Sequence, residues 1–356
     1  MAKLPAIGKI SAEVFNELIF PHLGAENPDV LVGPQHGVDV GIVRIGNKAV
    51  AITTDPVFIV PEYGWHRAAW FAIHILASDA VTSGLAPTYL VIDLNLPMMM
   101  TEDALSAVWT TIDQECRKMG IAIVSGHTAR YENCNFPMVG GATVFAVGEL
   151  ESYVSPRFAR AGDKIIITKG PAIEACGIFA AMFPKLLLRE FGKEFAQKAE
   201  GLFYKMSVVE DALTAVKVGV RENGITALHD ATECGVLGGV YELAQAANLG
   251  VRIDKGRIVV EDCVDKICRF FKIDPYKAIS EGTLIITCRE HKAEKVVEAL
   301  RAKQIKSSIV GELVEPRFGM ILIEDNKEKP LEHPTVDPFW QAFYEARQNY
   351  EKLEQS

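Results

Sequence analysis

The chain places two strand patterns side by side before its first long helix. Gly41–Ile45 and Ala49–Thr54 are rich in β-branched residues, and the hairpin signal Gly46-Asn47 separates them. The apolar, alanine-rich run Trp65–Ser83 follows and predicts a helix that ends at Gly84. Strands that succeed one another without an intervening helix exclude a sheet made of parallel βαβ units alone. The predicted fold class is therefore α+β.

Patterns further along the chain predict two units of ordinary domain size. Thr101 is placed to cap a helix over Glu102–Met119, and the polar segment Ser155–Asp163 has the composition of a linker. Lys164–Thr168 then opens the second unit with a strand. A length of 356 residues is large for one hydrophobic core. We therefore expect domains at residues 1–150 and 160–318, followed by a charged helical tail at residues 331–356.

Composition excludes several classes of protein. The net charge is −9, and no basic block is present, which argues against a nucleic-acid or anionic-membrane surface. No segment approaches the roughly 20 apolar residues of a membrane helix, and Met1–Pro5 lacks the apolar core of a signal peptide. The seven cysteines form no CxxC pair, so reduced thiols are expected rather than disulfides or a zinc site. The expected location is the cytoplasm.

The segment His229–Gly239 combines an acid, three glycines and a following amphipathic run. Glycines allow a ligand to approach the backbone closely, and a helix N-terminus suits a phosphate. The same glycines could instead serve only the geometry of a strand-to-helix turn, and the residues alone leave these interpretations even. Cys234 in this segment is interpreted as a small packed residue, with a reactive thiol as the less favoured alternative.

Polar side chains also occur where three upstream segments meet loops or an apolar helix. Asp39 precedes a strand, Asp55 is expected to end one, and Asp79 lies inside the apolar helix. His127 lies in a predicted loop after a buried-looking strand at 121–124. Magnesium prefers carboxylate oxygens together with substrate phosphates, so the three aspartates could form its site. Taken singly, each aspartate is better explained as an ordinary cap, turn or polar helix edge.

The order of these segments resembles a known superfamily, although no P-loop or dinucleotide motif is present. It is the superfamily of aminoimidazole ribonucleotide (AIR) synthetase, thiamine-monophosphate kinase, selenophosphate synthetase and the hydrogenase maturation protein HypE. The similarity is greatest to HypE-like, AIR synthase-related proteins. The segments that carry it are Gly37–Gly41, Thr54–Pro56, Ser78-Asp79 with Gly84–Pro87, Ser125–Thr128, Met206–Val209, His229–Gly235 and Ser280–Gly282. The chain departs from the family pattern at Val38, Gly41 and Cys234.

The resemblance implies a two-domain fold in which N-terminal domains pair as a homodimer and build a β-barrel at the interface. It implies ATP and magnesium near that interface, with Asp39, Asp55 and Asp79 as magnesium and phosphate ligands. Further residues implied to border the nucleotide are Gly126, Thr128, Gly235, Gly238 and Gly239. The implied catalytic residues are Asp230, His127 and Glu281.

The family chemistry implied is ATP-driven activation of an oxygen, or phosphoryl transfer to an acceptor. HypE carries its substrate on a C-terminal cysteine, whereas the last cysteine here is Cys288. We therefore expect no self-cyanation of that kind, and a separate small-molecule or protein-bound acceptor, a purine or thiamine precursor among the options. The alternative is a non-catalytic homodimer that binds a nucleotide or a partner. The departures at Val38, Gly41, Ser78 and Cys234 favour it, whereas the retained aspartates favour an enzyme.

Overall fold

The computed structural model describes Leu4 and residues 10–355, with side chains as far as Lys352. The expectation for Met1–Pro5 therefore falls mainly outside the described residues. Short helical turns open the described chain as α1 (Ala12–Val14), a π-helical turn at Phe15–Ile19 and a 3₁₀ turn at Phe20–His22.

The N-terminal unit is a mixed six-stranded sheet with two helices on one face. Its strands are β1 (Val30–Val32), β2 (Gly41–Ile45), β3 (Lys48–Phe58), β4 (Pro87–Leu96), β5 (Ala122–Arg130) and β6 (Met138–Glu149). Its helices are α2 (Trp65–Val81) and α3 (Glu102–Met119). The spatial order is β1-β2-β3-β6-β4-β5. The predicted hairpin is confirmed, because Ile45 pairs with Lys48 across the turn. Adjacent strands β4 and β5 are parallel because α3 connects them.

This sheet stays open in the described chain. Strands β1 and β5 are its two edges, so the barrel expected from the family resemblance is not present within one chain. Apolar side chains of α2 and α3 pack on one face of the sheet, where Leu76, Leu90 and Ile112 are fully buried. Strand β5 has little cover, and Val124 is 57% exposed. The prediction of a buried strand at 121–124 was therefore wrong for residues 122 and 124, because an edge strand can be apolar without being covered.

The C-terminal unit is a seven-stranded, mostly antiparallel sheet in the order β13-β12-β9-β11-β7-β10-β8. Its strands are β7 (Lys164–Thr168), β8 (Ile225–Asp230), β9 (Gly250–Asp254), β10 (Leu284–Cys288), β11 (Ser307–Val314), β12 (Met320–Glu324) and β13 (Lys327–Pro330). The helices are α4 (Ile173–Met182), α5 (Pro184–Phe191), α6 (Lys193–Glu200), α7 (Val209–Ala215), α8 (Gly235–Ala246), α9 (Asp262–Phe271), α10 (Ala293–Ala302) and α11 (Pro338–Gln355). The α+β prediction is confirmed.

The two units are joined by polar contacts as well as by the linker. The Val208 amide donates to the Ser78 hydroxyl at 3.1 Å, and the His74 ring lies 2.8 Å from the Ser207 hydroxyl. A side chain at Gly37 would place its Cβ 2.4 Å from the carbonyl oxygen of Glu242 in α8. The Gly37 contact thus places the loop before β2 against the second half of α8.

Two local predictions were wrong. Asp55 lies inside β3, which continues to Phe58 because its pairing with β6 extends past the Asp55–Ala142 pair. His127 lies inside β5 rather than in a loop, because the parallel pairing with β4 continues through Asp93–His127 to Leu96–Arg130. Among the described residues, none of the helices is long and apolar enough to cross a membrane.

Candidate active site

The loop before β2 and the end of β8 place three ionisable side chains together. Asp39 comes from the loop, whereas His229 and Asp230 are the last residues of β8. One ligand atom from each of them lies within 4.8 Å of the others. The segment runs from strand to helix, since β8 ends at Asp230 and α8 begins at Gly235. The contact joins residues 190 positions apart in the chain.

His229 is held at both ring nitrogens by carboxylates. Its Nδ1 lies 2.9 Å from Asp39 Oδ2, and its Nε2 lies 3.1 Å from Glu242 Oε2. Burial alone lowers the pKa of this imidazole, but Asp39 and Glu242 outweigh burial and hold the pKa well above 6.5. Because a carboxylate oxygen faces each ring nitrogen, both nitrogens act as hydrogen-bond donors and neither offers a lone pair to a metal. In this arrangement His229 orients Asp39 and neutralises it, while Asp39 and Asp230 retain the carboxylate oxygens that magnesium prefers.

A second group of acids is buried next to Asp230. The Glu281 amide donates to Glu174 Oε2 at 3.0 Å, and Glu281 Oε2 is buried without a hydrogen-bond partner. Burial raises the pKa of Glu281 well above its usual value, and Asp230, Glu174 and Asp79 raise it further. Burial likewise raises the pKa of Glu174 to about 7. Excess negative charge in a buried region is the environment that a divalent cation neutralises, so the residues fit magnesium.

The raised pKa of Glu174 should make the free energy of unfolding depend on pH. The unfolded chain releases the Glu174 proton near 4.5, whereas the folded protein keeps it to about 7. The free energy of unfolding should therefore fall as pH rises through that interval and then level off. Glu174→Gln removes this loss, so at pH 8 it should raise the free energy of unfolding by at most about 3 kcal/mol. At pH 4.5 the gain should vanish.

Urea unfolding of both proteins at pH 4.5, 6 and 8 checks this expectation. Glu298→Gln is the matched control, because Glu298 is exposed on α10. A stability difference between Glu174→Gln and the parent protein that does not change with pH would contradict the assignment.

Asp79 of α2 and Asp55 of β3 approach the site from the first unit. The Thr53 hydroxyl donates to Asp79 Oδ2 at 3.0 Å, which links β3 to α2. Asp55 is two residues further along β3, so its side chain points to the same face of the sheet as Thr53. The structure thus brings Asp79 to Glu281 and Asp39 to Asp230, and it directs Asp55 toward the same face as the Thr53–Asp79 contact.

The predicted site residues of β5 lie far from the buried acids in the folded chain. Across the sheet, Asp55 pairs with Ala142, Ala142 with Ile92 and Ile92 with Gly126. Three strand spacings separate Asp55 from Gly126, roughly 14 Å. His127 is exposed, and its Nε2 lies 3.0 Å from the Tyr131 hydroxyl. Within one chain, His127, Gly126 and Thr128 are not brought to the buried acids.

The predicted glycines at the start of α8 serve close packing. A Cβ at Gly235 would lie 2.6 Å from the Ala278 carbonyl oxygen, and Gly235 has a φ of 62°. A Cβ at Gly239 would lie 2.7 Å from Ile285 and 3.4 Å from the His229 ring. At Gly238 the nearest atom would be Cys234 Cβ at 2.7 Å. These glycines let α8 lie directly on β10 and His229, which positions the imidazolium.

Sequence reasoning missed four residues that shape this site: Glu174, Glu242, His333 and Asp337. Glu242 is an acid in an otherwise apolar stretch of α8, and that contrast was the available signal. His333 Nε2 lies 2.9 Å from Glu242 Oε1, and Asp337 Oδ2 accepts a hydrogen bond of 2.8 Å from the Cys234 amide. Because His333 and Asp337 belong to the tail, nothing in the local sequence connected them with α8.

Family models match both units of the chain. The N-terminal domain of AIR synthase related proteins matches residues 37–154, and the C-terminal domain of the same family matches residues 160–323. The chain belongs to the AIR synthase-related family. The resemblance stated from the motifs is therefore confirmed, and the two-domain α+β architecture of this AIR synthase-related protein follows from it.

Similar proteins include hydrogenase maturation factors. A hydrogenase expression/formation protein of Methanocaldococcus jannaschii, so named provisionally, is 22% identical over 93% of this chain and 96% of its own length. Carbamoyl dehydratase HypE of Escherichia coli is 26% identical over 83% of this chain and 85% of its own length. A crystal structure of HypE in complex with ATP has a TM-score of 0.63 at 20% identity and covers 94% of this chain and 97% of that chain. At this level of identity, the structural similarity shows a shared fold.

Proposed function

We propose that this protein is a magnesium-dependent enzyme that uses ATP to activate or phosphorylate an acceptor. The observation that carries the proposal is the buried acid group at the junction of the two units. There the ligand atoms of Asp39 and Asp230 lie within 4.8 Å of each other, and Glu281 Oε2 is buried without a hydrogen bond. Membership of the family and the ATP complex of a protein with a similar fold support ATP as the nucleotide.

The residues divide the work by charge and position. Asp39, Asp55, Asp79 and Asp230 are proposed to hold magnesium, which when bound would neutralise phosphate charge. His229 keeps Asp39 in place through a charge-assisted hydrogen bond. Burial and the neighbouring carboxylates Asp230, Glu174 and Asp79 raise the pKa of Glu281, which favours a role for Glu281 in proton exchange with the acceptor. Catalysis would rest on positioning and charge neutralisation, as is general for phosphoryl transfer.

A homodimer is proposed to complete the site. Strand β5 is a nine-residue edge strand, and its residues 124–128 are exposed. Long exposed strand edges are normally paired or covered, so pairing across a two-fold axis is the expected outcome. We propose that this pairing forms the barrel and gives Gly126, His127 and Thr128 their role beside the nucleotide. Domain limits at 1–150 and 160–318, with the tail from residue 331, are part of the same proposal.

The acceptor is proposed to be a separate molecule rather than the tail. Residues 331–355 contain no cysteine, and α11 is docked in the core through Phe339, Ala342 and Ala346. The rings of Phe343 and Tyr350 both lie 5.5 Å from Phe183, which extends the contact along the helix. A helix packed in this way does not present a mobile nucleophile to the site.

We predict that the tail is not modified, and mass spectrometry checks this. After incubation with ATP, magnesium and a carbamoyl-donating maturation enzyme, peptides covering 331–356 should keep their unmodified mass. A parallel sample of a HypE protein that carries a C-terminal cysteine is the positive control. A carbamoyl or cyano adduct on the tail would restore the self-modifying reaction as the function.

Asp79 should contribute to binding of the magnesium nucleotide. Asp79→Asn is expected to weaken the affinity for magnesium with a non-hydrolysable ATP analogue by about 1–2 kcal/mol, since a charge-assisted contact is replaced by a neutral one. Calorimetry measures the change directly, with Asp113→Asn on the exposed side of α3 as the control. Equal affinities of Asp79→Asn and the parent protein would contradict the role of Asp79.

One observation favours a second candidate, a non-catalytic nucleotide- or partner-binding homodimer. Asp337 places its carboxylate against the Cys234 amide, beside the first turn of α8 where a phosphate could otherwise bind. Cys234 also replaces a family glycine while retaining a φ of 64°. Magnesium-dependent nucleotide binding without release of phosphate in the presence of candidate acceptors would support this reading.

A further inference from the structure

A hydrogen-bonded series of four side chains connects the tail with the candidate metal site: His333, Glu242, His229 and Asp39. His333 Nε2–H donates to Glu242 Oε1 at 2.9 Å, and Glu242 Oε2 lies 3.1 Å from His229 Nε2. His229 Nδ1–H in turn donates to Asp39 Oδ2 at 2.9 Å. Acids and imidazoles alternate along the chain, so each hydrogen bond is charge-assisted.

His333, at the exposed end of this hydrogen-bonded series, is held in place by its neighbours in the tail. The Leu331 amide donates to the Met320 carbonyl at 2.9 Å, and Leu331 is buried. The His333 ring packs edge-on against Tyr241 with the ring centres 5.5 Å apart. Asp337 fixes the next stretch through the Cys234 amide. The tail therefore approaches α8 as an ordered segment, with His333 directed at Glu242.

At the buried end, Glu242 Oε2 is the hydrogen-bond partner of His229 Nε2. The His229 side chain is 5% exposed, compared with 29% for Glu242 and 35% for His333. The hydrogen bonds from His229 and His333 outweigh burial and lower the pKa of Glu242 far below its usual range. Each carboxylate oxygen of Glu242 is thereby committed to one imidazole, so loss of His333 would free the Glu242 side chain to rotate.

We propose that Glu242 and His333 are positioning residues that fix His229, and through it the Asp39 carboxylate, so that the tail is a working part of the site. Neither residue is assigned a contact with substrate. His333 lies in the tail, beyond residue 323, where the family-model match ends. The link to turnover rests on the proposed function, whereas the link to His229 geometry does not.

The test compares His333→Ala with His333→Gln, whose side-chain amide can still donate to Glu242. Arg347→Ala is the matched control in the tail, because Arg347 makes an exposed pair with Glu351. The first readout is hydrogen exchange of the His229 ring N–H resonances by nitrogen-15 NMR, assigned through their loss in His229→Gln. Exchange of the Nε2 proton should accelerate at least about tenfold in His333→Ala, as expected for losing one charge-assisted hydrogen bond. His333→Gln and Arg347→Ala should retain the parent rate.

The second readout is the split between kcat and the magnesium concentration that gives half-maximal ATP turnover. In His333→Ala this concentration should rise about tenfold with kcat changed less than about twofold, and His333→Gln should restore it. A purely structural role would lower thermal stability without this split. Unchanged Nε2–H exchange in His333→Ala overturns the proposal whatever the activity. Absence of turnover in the parent protein overturns the proposed function alone, and the exchange rates still decide the positioning role.

Discussion

Asp230→Asn is expected to lower the rate of magnesium-dependent ATP turnover about a thousandfold, which corresponds to roughly 4 kcal/mol in the activation free energy. Asp230 lies at the end of β8 with 1% exposure, next to Asp39 and within the electrostatic reach of Glu281. The substitution removes a carboxylate from the proposed metal site without changing the size of the side chain. It should leave the fold intact, because an amide is cheaper to bury among acids than a carboxylate.

Steady-state phosphate release at saturating ATP and magnesium measures this effect. Asp262→Asn is the matched control, because Asp262 is exposed and pairs only with Lys266 on the surface of α9 among the ion pairs described. A decrease of less than about fivefold in Asp230→Asn, with the control unchanged, would remove Asp230 from the proposed catalytic set.

Val124→Asp is expected to raise the dissociation constant of the proposed homodimer at least about a hundredfold, close to 3 kcal/mol. Val124 lies on β5 at the open edge of the first sheet and is exposed in the single chain. At an interface related by a two-fold axis, the substitution enters twice, and each new carboxylate is desolvated. The same substitution on a monomer surface would cost little.

Light scattering over a dilution series separates the two cases. The parent protein should have twice the chain mass of 39.1 kDa at micromolar concentration, and Val124→Asp should approach 39.1 kDa. Leu188→Asp is the control, because Leu188 is an exposed apolar residue on α5, away from β5. A parent protein that is monomeric at these concentrations would refute both the dimer and the barrel.

The bounds of α3 were predictable because its capping residue lies next to it in the sequence, whereas α2 ends at Val81 rather than at the predicted Ser83. The Thr101 hydroxyl accepts from the Ala104 amide, as the predicted cap requires. The extent of β3 and β5 was not predictable in the same way. Their lengths are set by pairing with β6 and β4, which lie elsewhere in the sequence.

The site residues likewise fall into those that the local sequence indicated and those that depend on distant packing. Asp39, Asp79 and Asp230 stood out because acids in glycine-rich turns or in an apolar helix need an explanation. Glu174 did not, since an acid near a helix start is ordinarily a solvated residue, and the one signal for Glu242 was its contrast with the apolar stretch of α8. Their importance arises only when α4, α8 and the tail are packed around β8 and β10. His333 is a still clearer case, because its partner is 91 positions away.

The central claim, a magnesium-dependent ATP site at the junction of the two units, is tested most directly by titrating the parent protein with a non-hydrolysable ATP analogue in a calorimeter. The titration is made with magnesium and again with excess chelator, and Asp39→Asn is titrated alongside. The account predicts saturable binding with magnesium that is lost with the chelator and weakened in Asp39→Asn. Absence of binding in the presence of magnesium, or binding that is unaffected both by the chelator and by Asp39→Asn, would contradict it.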